Sequence, residues 1–296
     1  MIVRQQAKEI FQKHLASPVI SLRRIPGGAA SIVFVIVTKS GSYVIKMRPL
    51  TASSYDRETL VLRKKSVRRF GPKVYVSGST KEFHFTLQEF IPGRRLPWMR
   101  ASDKQVKAAA VFLRSLHSAT KQRISSNHDH IKEKLRYVRR ILKSYARFVP
   151  RSDALRLKAA LDITSKLSIP RIPIRIVIRH GDPNPHNFII QNNRIRAVDW
   201  ESAVPGPAVI DITDFILKAN LSRKKQKLFL RSYGWKDQKS LRVFGIYRLL
   251  GMTAWHLEQY AFFCQGKIPT EQYIPKKRRY WLFSKRLSQS EVALRD

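Results

Sequence analysis

The chain has 296 residues, 43% of them hydrophobic and 10% aromatic, enough to bury a core, which excludes a disordered tail. It carries 58 Lys and Arg against 20 Asp and Glu, a formal charge of +38, and one cysteine, Cys264. An internal disulfide is thereby excluded and a reducing, cytoplasmic setting is expected; the longest apolar runs are short, such as "IVFVIV" at 32–37, so no transmembrane segment is expected either.

The opening stretch, "MIVRQQAKEIFQKHL", lacks the apolar centre of a secretion signal. Its Ile2, Ile10 and Phe11 fall at helical spacing and read as a first helix. A flexible loop, "PGGAAS" (26–31), leads into "SIVFVIVT" (31–38) and "SYVIKMR" (42–48), which flank a short turn carrying Gly41 and read as a hairpin. Ser53 and Asp56 form a Ser-x-x-Asp cap that opens a helix over 53–65. "KVYVS" (73–77) and "FHFTLQEF" (83–90) supply two more strands, and "IPGRRLP" (91–97) breaks the pattern. The boundary is placed there, giving residues 1–91 and 92–296. Helices are expected over 102–118, 131–149 and 152–167, a strand over 174–180, and helices again from about 209. The expected fold class is α+β, with a small β-rich N-terminal lobe and a larger, mostly helical C-terminal lobe.

Acid is scarce in this chain, yet Asp182, Asp199, Glu201, Asp211 and Asp214 crowd between residues 182 and 214, opposed there only by Arg194 and Arg196. Such a cluster suits a site that holds a cation. The strand "IRIVIRH" delivers His180 and Asp182 at its end, and Pro183 and Pro185 stiffen the loop that follows. "FII" (188–190) and "RIRAV" (194–198) form a second hairpin around "QNN". Pairing Ile190 with Arg194 would leave Asn187 and Asp199 at one open end, two residues out of register. An amide oxygen and a carboxylate so placed can share a hard cation such as Mg²⁺, with Asp182 at the mouth of that site.

"HGDPNPHN" and "DWE", in that order, resemble the catalytic segment of the aminoglycoside phosphotransferase and choline kinase group of small-molecule kinases, within the protein-kinase-like superfamily. The resemblance covers about residues 20 to 215. It implies an ATP- and Mg²⁺-dependent phosphotransferase with an alcohol group as acceptor. Asp182 would be the base that orients the acceptor hydroxyl, Asn187 and Asp199 the Mg²⁺ ligands, Asp211 a support of the catalytic loop, and His180 an orienting residue. Upstream, "GGAASIVFVI" resembles the loop over the ATP phosphates, with Gly27, Gly28, Ser31 and the aromatic Phe34. Lys46 would neutralise the α- and β-phosphates, and Glu58 would hold Lys46. The backbone of Glu89 and Ile91 in "LQEFIPG" would bond adenine. No Walker-type Gly-x4-Gly-Lys-Ser/Thr is present, so the P-loop class is excluded.

The acceptor is less legible. Candidate lining residues are Trp98, Trp200, Glu201, Asp214, Trp255, His256 and Glu258, and for each aromatic a place in the core is the competing reading. Acids are sparse in the last third beyond this cluster, so a neutral or anionic hydroxyl compound is expected rather than a polycation. Basic runs at 63–73, 132–147, 223–227 and 276–279 offer two readings: a polyanion contact to nucleic acid or membrane, or solvated faces of amphipathic helices. The first of these readings carries an alternative for the whole chain, a kinase-shaped scaffold that binds polyanions without catalysis.

Overall fold

A computed structural model describes residues 2–25, 31–50, 55–97, 100–120, 124–126, 128–167, 173–192, 194–267 and 275–295. Helix α1 (Ile2–Leu15) leads into strands β1 (Val19–Ile25), β2 (Ile32–Thr38) and β3 (Gly41–Pro49), helix α2 (Tyr55–Arg63), then β4 (Val74–Ser79), β5 (Phe83–Glu89) and the two-residue β6 (Arg94–Arg95). Helix α3 (Asp103–Ala119), strand β7 (Ile124–Ser126) and helices α4 (His128–Tyr145) and α5 (Arg151–Lys166) follow. Strand β8 (Pro173–Arg179), the hairpin β9 (Phe188–Gln191) and β10 (Arg194–Ala197), and β11 (Val204–Pro207) precede helices α6 (Ala208–Lys218), α7 (Arg223–Tyr233), α8 (Gln238–Cys264) and α9 (Lys276–Arg295).

By compactness the chain separates into two units. The first gathers residues 1–121, 178–205 and 218–234. Its centre is a five-stranded antiparallel sheet in the order β1-β2-β3-β5-β4. The apolar run of β2 sits next to the middle of that sheet, where Phe34, Val35 and Ile36 are buried. Its partner β3 buries Ile45, Lys46, Met47 and Arg48 in succession, which puts two cations inside the unit. Phe11 of α1 packs with Leu22, Ile36, Ile45 and Leu87 to close one face of the sheet. Strand β1 departs from the expected elements. It is an edge strand whose Arg23 and Arg24 stay exposed, so only Leu22 signals burial.

Within the same unit, α3 begins with a full capping box: Ser102 accepts from the Gln105 amide while the Gln105 side chain accepts from the Ser102 amide. Its Phe112 packs against Phe188 of β9, ring centres 5.0 Å apart, and so carries the second hairpin on a helix. Gly234 ends α7 at φ 80°, the left-handed turn that favours glycine.

The second unit gathers residues 122–177, 206–217 and 235–296. Here β7 pairs with β8 through Ile124 opposite Arg175. The stripe expected on α4 is buried at Ile131, Leu135 and Val138, against Leu157, Tyr247, Leu250 and Phe283. Its wet side carries the basic residues, as amphipathic packing requires. The helix stops at Tyr145, short of the expected 149, because a single 3₁₀ turn, Ala146–Phe148, takes the chain to Pro150. Arg156 of α5 reaches Glu291 of α9 with bonds of 2.8 and 2.6 Å, and Tyr280 donates to Asp153 at 2.5 Å, tying these helices side by side.

Candidate active site

The expected hairpin forms one residue out of the expected register. Gln191 pairs with Arg194, Ile190 with Ile195, and Phe188 with Ala197. A two-residue connection closes it instead of three, with Asn192 at φ 47°, a left-handed position that asparagine tolerates; Asn193 lies outside the described residues. The shift brings the candidate cation ligands closer together than expected. The Val198 amide donates to the Asn187 carbonyl at 2.8 Å, so Asp199 is one residue past Asn187 and not two.

Asp199 itself stands at φ 67°, ψ 63°, a strained conformation for an L residue. That turn aims its carboxylate at Lys46, whose Nζ lies 3.3 Å from Asp199 Oδ1 and 2.7 Å from Glu58 Oε1. Glu58 is 1% exposed and also accepts from the Trp200 amide at 3.3 Å. Burial works against the Lys46 charge, but Glu58 and Asp199 outweigh it and hold the ammonium above the ordinary lysine value. Lys46, Asn187, Asp199, Glu201, Ser31, Glu89 and Ile91 all line one cleft of about 580 Å³, a size that suits a small organic ligand. Val33, Val44 and Ile189 supply its apolar walls.

At Glu89, whose backbone is expected to bond adenine, the amide donates to the Lys73 carbonyl at 2.8 Å. Arg196 grips the Glu89 carboxylate with two bonds, 2.5 and 2.7 Å, which is the first reason that carboxyl is held below its usual range. The end of β5 and the second hairpin are thereby joined beside the cleft.

Asp182 follows Gly181, whose φ of 81° is needed there: a Cβ would sit 1.9 Å from the Ser202 carbonyl oxygen. Asn187 Nδ2 donates to the Asp182 carbonyl at 3.0 Å and to its Oδ2 at 3.2 Å. Lys218, at the end of α6, takes the other oxygen at 2.5 Å. Burial alone would raise the Asp182 pKa, but Lys218 foremost, with help from His180 and Asn187, brings it below the usual carboxylate range. Burial and then Asp199 push Glu201 the opposite way, upward. The two acids therefore differ in protonation tendency within one short segment.

These residues fit a hard cation. Asn187 spends its amide nitrogen on Asp182, which leaves its Oδ1 as a donor oxygen, and Asp199 and Glu201 add carboxylates in the same cleft. Among the described residues no group of three His, Cys, Asp or Glu side chains forms a ready-made metal cage. Amide, carboxylate and ligand oxygens would have to share the cation, as Mg²⁺ prefers at phosphate sites.

The remaining candidate positions differ in their surroundings. Trp200 is not a pocket wall: it is fully buried, its Nε1 donates to the Ala197 carbonyl at 2.8 Å, and its ring lies 4.7 Å from that of His180. His180 is likewise fully buried, with Nε2 3.1 Å from the Val198 carbonyl, a packing position at the root of the loop. Asp214 is fully buried and paired with both arms of Arg248, so it serves the second unit's interior rather than lining a cleft. Asp211 is also fully buried, in the first turn of α6. On α8, Trp255 is half exposed with its ring 4.9 Å from that of His256, and Glu258 accepts from Tyr137 at 3.0 Å. Gly27, Gly28, the cap residue Ser53 and Trp98 lie outside the described residues. Two residues at the site, Lys218 and Arg48, are absent from the candidates that the sequence suggests. Arg48 stands two places after Lys46 on the same face of β3, and that spacing is the one signal that points to it.

A model of the phosphotransferase enzyme family matches residues 21–243. The Protein LicA homolog of Metamycoplasma hominis is 28% identical over 165 residues, a match that spans 56% of this chain and 61% of that relative's length. Among solved structures, spectinomycin phosphotransferase in complex with ADP and spectinomycin superposes with a TM-score of 0.69 at 16% identity, covering 98% of both chains. Choline kinase LicA from Streptococcus pneumoniae gives 0.68 at 15%, covering 99% of both. At such identities these structures establish the fold, which is the two-lobed, protein-kinase-like α+β fold expected from the sequence. No helix among the described residues is long and apolar enough to cross a membrane. With three quarters of its length matched by the family model, the chain belongs to the phosphotransferase enzyme family.

Proposed function

We propose that the protein transfers the γ-phosphate of ATP to a hydroxyl of a small molecule, with residues 1–91 as the nucleotide lobe and 92–296 as the catalytic and acceptor lobe. One observation carries this reading: Lys46, buried and charged, bonds Glu58 at 2.7 Å and meets Asp199 at 3.3 Å in a cleft that also holds Asn187. A cation fixed this way suits the α- and β-phosphates, and the backbone of Glu89 and Ile91 stands on the same cleft for adenine. Gly27, Gly28 and Ser31 would complete the nucleotide contacts, and Phe34 is buried in β2, the strand that follows Ser31.

Asn187 and Asp199 would hold Mg²⁺. When bound, it would neutralise charge on the transferring phosphoryl oxygens. Asp182 orients the acceptor hydroxyl and receives its proton. Its lowered pKa makes it a weak base, which suits a loose transition state in which the nucleophile's proton leaves late. Lys218 offsets the charge of Asp182, so this end of the site offers no surplus of acid to a polycation, and a neutral or anionic hydroxyl compound fits better. A reducing cytoplasm suits the exposed thiol of Cys264. The test is ATP turnover against a panel of hydroxyl metabolites, with and without Mg²⁺. Acceptor-dependent ADP release that needs the metal is the expected result.

A further inference from the structure

Arg48 is only 2% exposed, yet one guanidinium serves three separate elements. Its Nε donates to Ser31 Oγ at 2.6 Å, at the root of β2. Its Nη2 lies 2.9 Å from Glu58 Oε2 on α2 and 2.9 Å from Glu201 Oε2, just past Asp199. Glu58 is therefore held on both oxygens, by Lys46 on one and Arg48 on the other. Within the group formed by Lys46, Arg48, Glu58, Asp199 and Glu201 the carboxylates exceed the cations by one. Without Arg48, Glu201 would stand in the cleft beside Asp199 with no such counter-charge. Two carboxylates in the cleft that Asn187 also lines would then form a much stronger cation site, since affinity for a hard divalent ion rises with the number of charged oxygen ligands.

We propose that Arg48 is a positioning residue that acts as an internal counter-ion. It ties up Glu201 in the nucleotide-free protein, keeps the Asn187–Asp199 end a weak cation site, and so makes the metal enter together with the nucleotide. This rests on the phosphotransferase reading above. The triphosphate then supplies the oxygens that Arg48 withholds, which guards the site against futile metal occupancy.

Metal alone tests it. Mn²⁺ is titrated by electron paramagnetic resonance into the nucleotide-free full chain, for wild type, Arg48→Met and the double variant Arg48→Met/Glu201→Gln. Arg48→Met should bind Mn²⁺ about tenfold or more tightly than wild type, and the added Glu201→Gln should return affinity to the wild-type level. A gain of binding is not what a merely structural loss produces. An Arg48→Met affinity equal to or below wild type, or a gain that survives Glu201→Gln, overturns the proposal. Should Arg48→Met fail to fold, Arg48→Lys decides by the same criteria, because one ammonium cannot reach Ser31, Glu58 and Glu201 together. Wild-type binding of AMP-PNP, with Mg²⁺ and with EDTA, is measured alongside. Metal-independent AMP-PNP binding would remove the phosphotransferase reading itself, whereas normal AMP-PNP binding with unchanged Mn²⁺ affinity would remove only the role of Arg48.

Discussion

Asp182 is under opposing pressures: its burial favours the neutral acid, and Lys218 at 2.5 Å favours the carboxylate. Lys218 prevails, so the acid limb of the kcat/KM profile should fall below the ordinary carboxylate range. Lys218→Met removes the attraction and leaves the burial, so Asp182 titrates higher and the acid limb should move toward neutral pH. An unmoved limb in that variant would mean that Asp182 is not the group whose ionisation controls the rate. Lys46 makes a parallel case. Glu58→Gln keeps one hydrogen bond to Lys46 but removes the charge that both cations on β3 share. kcat/KM for ATP should fall by about tenfold or more, the scale of a charged hydrogen bond worth roughly 1.5–3 kcal/mol, and the loss should exceed any change in fold measured by circular dichroism. None of this depends on Trp200, for which the sequence allows either core or pocket. Its size and its single N–H, satisfied by the Ala197 carbonyl, put it in the core.

Elements are legible in the sequence where the apolar pattern is regular. The hairpin of β2 and β3, the strands β4 and β5, and the stripe of α4 all follow from spacing, because each buries one continuous face. β1 is not legible, since an edge strand with two exposed arginines has almost no apolar signature. The register of β9 and β10 differs by one residue from the expected one because Gln191 can read as turn or strand, and the choice shifts every pairing after it. Lys218 is invisible for a different reason: it reaches Asp182 across 36 positions of sequence, with no local pattern to announce it. The loop between β8 and β9 gives the clearest test at this scale. Gly181→Ala would drive a Cβ to 1.9 Å from the Ser202 carbonyl at a positive φ, so it should destabilise the fold by about 2 kcal/mol or more and shift the urea midpoint. In the other unit, Asp214→Asn removes a fully buried carboxylate from Arg248, whose side chain is 18% exposed, and should cost about 1.5–3 kcal/mol by the same measurement.

For the molecule as a whole, a formal charge of +38 exceeds what a phosphotransfer site requires. On α4 and α7 the basic runs occupy the exposed faces of amphipathic helices, an arrangement common to both readings of the charge. At the start of α9, Lys276, Lys277 and Arg278 are exposed, but Arg279 is buried with its guanidinium 5.2 Å from the Phe263 ring, so it belongs to the interior and not to a binding stripe. Reversing Lys276, Lys277 and Arg278 to Glu should reduce the salt slope of any binding to single-stranded RNA by roughly 0.7 for each phosphate that is no longer neutralised. Turnover of a small acceptor should be unchanged, and a joint loss of both would show that the acceptor is itself a polyanion. On the proposed reading, metal and nucleotide share one cleft, and Asp182 bonds Asn187 without being a ligand itself. The most direct test of that reading is ATP affinity by calorimetry, with Mg²⁺ and with EDTA, for wild type, Asp199→Ala and Asp182→Asn. Wild type should bind ATP much more tightly with Mg²⁺, a difference mostly abolished by Asp199→Ala and kept by Asp182→Asn even though turnover is lost. Equal wild-type affinity with and without Mg²⁺ would contradict it.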